Sequence, residues 1–251
     1  MTVMLTATPD VSLGMVTLVW STSPAADVTA LWRTDDNGTR EVRTLAGLLP
    51  ASSGVVEDYE AALTGTITYT AVTASLSAQD TASLGGSDTW LTIPVTPAWA
   101  VVLDLVTGLT AARASMGTVH EVIDREDPLP TLGGLRKRAG TLSLWCSSWA
   151  AARTVVEMHG KRAVLLLRQP DYPGLDLWYV PESVDVEPAP EQTTTRRWLV
   201  EVAYREVNPQ TGALTGSLAR DYADVIAEHT TYLDALATYS TYADLQIGPT
   251  P

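Results

Sequence analysis

The chain has 251 residues, 45% hydrophobic and 18% charged, a balance that suits a folded protein and is too apolar for a disordered one. Its 29 acidic residues against 16 basic ones leave a formal charge of −13, which repels phosphate backbones and anionic lipid heads and so argues against sequence-specific nucleic acid and membrane as partners. The single cysteine, Cys146, excludes an intrachain disulfide and leaves stability to packing.

A length above the usual ~100–200 residues of one domain implies two domains and an appendage. Met1 to Ala7 has no basic lead-in and is closed by Pro9-Asp10, so the expectation is a chain without a secretory signal, made in the cytoplasm. Val16 to Trp20 and Val28 to Arg33 are short β-branched and aromatic runs with period-two alternation, the mark of strands. Asp36-Asn37-Gly38 supplies turn residues, and Glu41 to Leu45 resumes the alternation, which predicts a hairpin. Asn37-Gly38-Thr39 also fits a glycosylation sequon, but without a secretory signal it serves the turn.

Further on, Leu63, Gly65 and the run Ile67-Thr68-Tyr69-Thr70-Ala71 predict a corner followed by a strand with Ile67, Tyr69 and Ala71 on one face. Such a Tyr anchors a sandwich corner through its hydroxyl. Ser75 to Pro97, rich in Ser, Thr, Gly and Ala, reads as loop, then a strand over Thr89 to Val95, then a linker. A first domain therefore spans 1–97.

The second region, 98–212, opens with the apolar run Trp99 to Leu105 and a strand at Val119 to Ile123, followed by a turn-rich segment from Asp127 to Gly134. Gly140 to Cys146 reads as a strand, Ser147 or Ser148 as the cap of a helix over Trp149 to His159 closed by Gly160, and Ala163 to Arg168 as a buried strand. Leu177 to Val180 and Ser183 to Val186 are short strands, and Arg197 to Val207 is a long one. One helix among many strands predicts a β-sandwich or split barrel. The fold expectation is thus mainly β, with a short helical C-terminal tail at 213–251.

That tail repeats every ten residues: Asp221-Tyr222-Ala223-Asp224, Thr231-Tyr232-Leu233-Asp234 and Thr241-Tyr242-Ala243-Asp244. Each copy has a capping residue and an Asp three positions later, a helix start in miniature. Ten residues is not a whole number of helical turns, so the copies predict three short turns with bends at His229-Thr230 and Tyr239-Ser240. Tyr222, Tyr232, Leu236, Tyr242 and Leu245 then need a covering surface and are the candidate assembly residues.

Thr6 to Ser75, with Trp20 as the early core Trp and the Leu63-to-Tyr69 spacing, resembles the fibronectin type III pattern, although the segment after Leu63 lacks that pattern's Pro. The whole chain resembles the minor tail proteins of long-tailed actinobacterial phages, a group related to the distal tail proteins of the tail tip. The likeness rests on D-Y-E-A-A-L-T-G-T-I-T-Y-T-A at Asp58 to Ala71, on the strand-helix-strand unit from Gly140 to Arg168, and on the closing T-Y-x-D repeat. It implies a structural virion protein located at the tail tip. It also implies a homo-oligomeric ring, hexameric in distal-tail relatives, with tail-tube, tape-measure and baseplate proteins as neighbours.

Sites for chemistry are few. His120 and Asp124 would share a face of a helix, but Val122-Ile123 and Pro128 favour a strand entering a turn, which scatters them, so no metal site is expected. His159 reads as a cation at a helix end, Cys146 as a core thiol, and Arg136-Lys137-Arg138 as a solvated loop. No nucleophile elbow, zinc-protease, P-loop or dinucleotide motif is present, so neither catalysis nor a cofactor is expected. The competing expectation is a carbohydrate-binding or host-surface adhesin module built on the eight Trp. Trp20, Trp32, Trp145 and Trp149 lie in apolar patterns and are expected in the core, leaving Trp178 with Tyr179 as the exposed aromatics.

Overall fold

The computed structural model describes residues 2–214 apart from 122, 124, 125, 173 and 190–196. The repetitive tail, with Tyr222, Tyr232, Leu236, Tyr242 and Leu245, lies outside the described residues. The chain forms two units. The first holds residues 1–102, 165–177 and the chain from Gln210, and the second holds Leu103–Val164 and Trp178–Pro209. The second region of the sequence is therefore not one continuous unit, because a loop of it, Leu165–Leu177, is built into the first.

The first unit is mainly a sandwich of seven strands. β1 (Thr2–Asp10) and β2 (Met15–Ser23) pair antiparallel along their whole length. The Asp10 carboxylate makes the turn between them, accepting from the Ser12 amide and hydroxyl and from the Leu13 amide at 2.7–3.1 Å. β3 (Val28–Asp35), β4 (Gly38–Glu41), β5 (Ser53–Asp58), β6 (Ile67–Thr73) and β7 (Ser77–Ala82) complete it. The two sheets run β1-β2-β5 and β4-β3-β6-β7.

Period-two alternation sets which side chains enter the core. Ile67, Tyr69 and Ala71 of β6 are all fully buried, as the sequence predicts, and meet Val16, Leu18 and Trp20 of β2 with Leu31 of β3 in one cluster. Each such side chain contributes about 1.5–3 kcal/mol by leaving water. Trp20 lies opposite Gly54 of β5, and a Cβ there would come within 2.4 Å of the indole, so only glycine admits the ring.

Two local expectations need correction. The strand expected over Glu41 to Leu45 stops at Glu41, because the chain turns there and Leu45 bridges to Leu214 instead. β7 stands where a loop was expected. It has little apolar content, and its order comes from backbone pairing with β6, from Ile67↔Ala82 to Val72↔Ser77. β8 (Thr89–Thr92) and β9 (Ala100–Leu103) follow.

The second unit is a four-stranded antiparallel layer with one helix and a long ribbon. β10 (Leu105–Thr107), β11 (Thr118–His120), β12 (Leu129–Thr131) and β13 (Ala139–Cys146) precede α1 (Trp149–His159). β14 (Leu165–Arg168) belongs to the first unit, where it pairs antiparallel with β8. β15 (Leu177–Pro188) and β16 (Trp198–Glu206) close the chain's regular structure, and the strands of the second unit run β10-β13-β16-β15. The two short strands expected in 177–186 are one strand with a bulge between Pro181 and Ser183.

The helix has the bounds the sequence predicts. Ser148 caps it by accepting from the Ala151 amide at 3.2 Å, while Gly160 ends it in a right-handed conformation (φ −73°). Ala152, Val155, Met158 and His159 recur on one face and are buried, packing α1 on β13 and β16.

Candidate assembly surface

The ribbon is the largest stretch of the second unit without a covering layer. From β10 and β13 the two chain segments stay paired outward. Ala112 and Ala139 exchange both backbone bonds at 2.9 Å, the Arg136 amide donates to Ala114, and the Met116 amide donates to Gly134. β11 and β12 continue the ladder with Thr118↔Thr131, Val119↔Pro130 and His120↔Leu129. At ~3.3 Å per residue the paired segment from Gly108 to His120 reaches about 40 Å. The strands approach closely at Gly140, where a Cβ would lie 2.1 Å from the Thr110 carbonyl oxygen, and again at Gly117, where one would lie 2.6 Å from the Thr131 carbonyl oxygen.

Every described residue from Thr110 to Lys137 is exposed except Gly117, which is half-buried. Yet the ribbon carries Met116, Val119, Ile123, Leu129, Leu132 and Leu135, with Ile123 and Leu132 each 91% exposed. Val119 and its partner Pro130 share one face, while His120 and Leu129 share the other. Two strands alone bury neither face, so this arm has the character of a surface made to be covered. Within the turn-rich segment expected at 127–134, Leu129–Thr131 forms its returning strand. The signal missed in the sequence is the mirror placement of Gly117 and Gly133-Gly134 around an apolar-studded turn.

The aromatic expectations are largely reversed. Trp178 and Tyr179 are not exposed; they are 6% and 0% accessible, and the Tyr179 hydroxyl bonds His159 Nε2 at 2.9 Å. Their strand places them inward, because Leu177, Trp178 and Tyr179 sit in a continuous buried stretch at the start of β15. Trp149, expected in the core, is 49% exposed and its ring lies 4.6 Å from that of Trp198, tilted by 48°. As the first residue of α1 it stands at the rim of the buried face, against Trp198 at the start of β16. Trp32 is likewise exposed and Trp145 half-buried, whereas Trp20 is in the core.

His159 is also corrected. It is buried rather than a charged helix-end group, and burial pushes its pKa below the usual histidine value. Val155 offers a carbonyl that can only accept, at 2.7 Å from Nδ1, so Nδ1 carries the proton and Nε2 accepts from Tyr179.

The first unit contains a buried ionic network. Arg33 Nη1 donates to both oxygens of Asp58, its Nε lies 3.0 Å from Asp35 Oδ2, and the Tyr69 hydroxyl donates to Asp58 at 3.0 Å. Nearby, Arg43 donates through Nε to Glu60 at 2.6 Å, and through its two terminal nitrogens to the Gly212 and Gln210 carbonyls at 2.7 and 2.5 Å. Arg168 is fully buried and donates to the Gly14 and Ala61 carbonyls, and Asn37 donates to Asp176 at 2.6 Å. Most of these contacts pair charges inside the fold, the pattern of structural polar groups, although Arg168 Nε and Nη2 and Arg33 Nε are buried without a hydrogen bond among the described residues.

Burial pushes the Cys146 thiol up to about 11, which keeps it protonated. Among the described residues no three His, Cys, Asp or Glu side chains gather as metal ligands. His120 is an exposed strand residue, and its postulated partner Asp124 lies outside the described residues. No helix among the described residues is long and apolar enough to cross a membrane. Of the basic run, Arg136 and Lys137 are exposed, but Arg138 forks onto Glu206 at 2.9 and 3.2 Å. No family model matches the chain, and no curated protein matches it in sequence.

Proposed function

We propose that the protein is a non-enzymatic structural component of a phage tail tip, forming a ring or adaptor between tail tube and baseplate. The observation that carries this reading is the arm, a two-stranded ribbon that exposes six large apolar side chains, a surface that a neighbouring subunit would cover. The strand order of the first unit, with Trp20 in its core and the Tyr69 hydroxyl tied at its corner, supports a fibronectin type III-like sandwich. The tyrosine repeat from Tyr222 to Leu245 supplies a further docking segment. Labelling purified particles with antibodies to the chain tests the reading by electron microscopy. Label confined to one end of the tail is the expected result, and particles that carry none of the chain would refute it.

A second reading, a carbohydrate-binding module, draws on the exposed Trp149 beside Trp198 rather than on Trp178. Glycan binding that is lost in Trp149→Ala would favour it.

A further inference from the structure

The arm is charged oppositely at its two ends. At the turn, Glu121, Glu126 and Asp127 are exposed, and residues 121–127 hold four carboxylates against the single Arg125. At the root, Arg113, Arg136 and Lys137 are exposed, while Arg138 is neutralised by Glu206. Among the described residues none of these six exposed charges has an ion-pair partner. Between the two ends run the uncovered apolar side chains, Met116, Val119, Leu129, Leu132 and Leu135 among them.

We propose that the arm packs along the arm of a second copy of this chain, with the carboxylate tip of one against the basic root of the other. A uniformly basic partner would be repelled by the root, and a uniformly acidic one by the tip. An in-register parallel copy would stack like charges at both ends, whereas a copy with its ends reversed matches both and lays apolar surface on apolar surface. With a formal charge of −13 the chain as a whole resists self-association, so the local placement of charge selects both the partner and the register. This inference rests on the assembly reading above and names a two-fold contact that would join copies in pairs within that assembly.

The test is sedimentation velocity on the full chain at low salt, with two charge-reversed variants whose substitutions lie on exposed positions. Arg136→Glu with Lys137→Glu makes both ends acidic, and Glu126→Lys with Asp127→Lys makes the tip basic. Wild-type chain is expected to self-associate, each variant alone to do so about tenfold more weakly or worse, and an equimolar mixture of the two to regain wild-type association. Circular dichroism of each variant should match wild type. Variants that assemble as well as wild type would overturn the arm contact while leaving the assembly reading in place. A wild-type chain that stays monomeric, with a mixture that does too, would overturn the pairing of copies, and particle labelling would then judge the assembly reading independently.

Discussion

Arg33 holds Asp58 through one nitrogen, Nη1, which donates to both carboxylate oxygens at 2.7 and 2.9 Å with each side chain only 2% exposed. The pair joins the two sheets of the first unit, since Arg33 lies on β3 and Asp58 ends β5. Taking either partner away leaves the other charge buried. Asp58→Ala is expected to lower the stability of the first unit by about 3–5 kcal/mol. Replacing both residues by leucine is expected to cost less than the sum of the single changes. Urea melts of the two single variants and the double variant check this. Additive losses would mean that the pair is not energetically coupled.

Glu60 predicts a pH dependence of the opposite sign to that of an ordinary paired carboxylate. Burial pushes its pKa up, and the charges of Arg43 and Arg33 offset this only in part. A raised native pKa means the folded chain binds the proton more tightly than the unfolded one. The contribution to stability is therefore full below the usual carboxylate range and is lost as pH rises through the raised value. Glu60→Gln removes that titration while keeping an acceptor for Arg43. The stability of wild type relative to Glu60→Gln is expected to fall as pH rises above the ordinary carboxylate range, as read from urea midpoints at several pH values.

His159 works the other way. Its pKa is lowered by burial, so neutral His159 stabilises the second unit above the ordinary histidine value of about 6.5, and this is lost as pH falls through the lowered native value. The loss of stability on going from pH 7.5 to 5.5, read from near-UV circular dichroism melts, is expected to be larger for wild type than for His159→Leu. The variant itself is expected to be less stable by about 1–3 kcal/mol, because the Tyr179 hydroxyl loses its acceptor.

What the sequence made legible follows the strength of local signals. Alternation in Ile67, Tyr69 and Ala71 and the Ser148-to-Gly160 punctuation were sufficient for β6 and α1, because each is decided within a few residues. β7 was illegible, since Ser77-Ala78-Gln79-Asp80 carries no apolar rhythm and owes its order to β6. The ionic network was equally hidden, because Arg33, Asp58 and Arg168 meet only when distant strands pack, and spacing along the chain says nothing of that. Trp178 and Tyr179 followed a turn and so looked exposed, while the depth of the layer they enter is a tertiary property. The arm was half visible. The strand expected over Val119 to Ile123 is Thr118–His120, with Ile123 already in the turn, and the Pro and Gly of the returning strand read as turn.

Arg43 anchors the start of the C-terminal segment. Its terminal nitrogens hold the Gln210 and Gly212 carbonyls, and just beyond them the Leu214 amide donates to Thr44 at 2.9 Å. Charge-assisted bonds of this kind are worth about 1.5–3 kcal/mol each. Arg43→Met is expected to speed hydrogen exchange at the Leu214 amide about tenfold or more, with Val200 and Val202 unchanged. Exchange at Leu214 that stays at the wild-type rate would show the anchor to lie elsewhere.

The claim that this is a structural protein assembling through its arm is tested most directly by light scattering on two chains. One is the full chain, and in the other the ribbon between Ser115 and Leu135, a bridged pair, is replaced by an Asn-Gly turn. The expected result is a multiple of the chain's own mass for the first and a monomer with an unchanged melting temperature for the second. The same mass for both chains would contradict it.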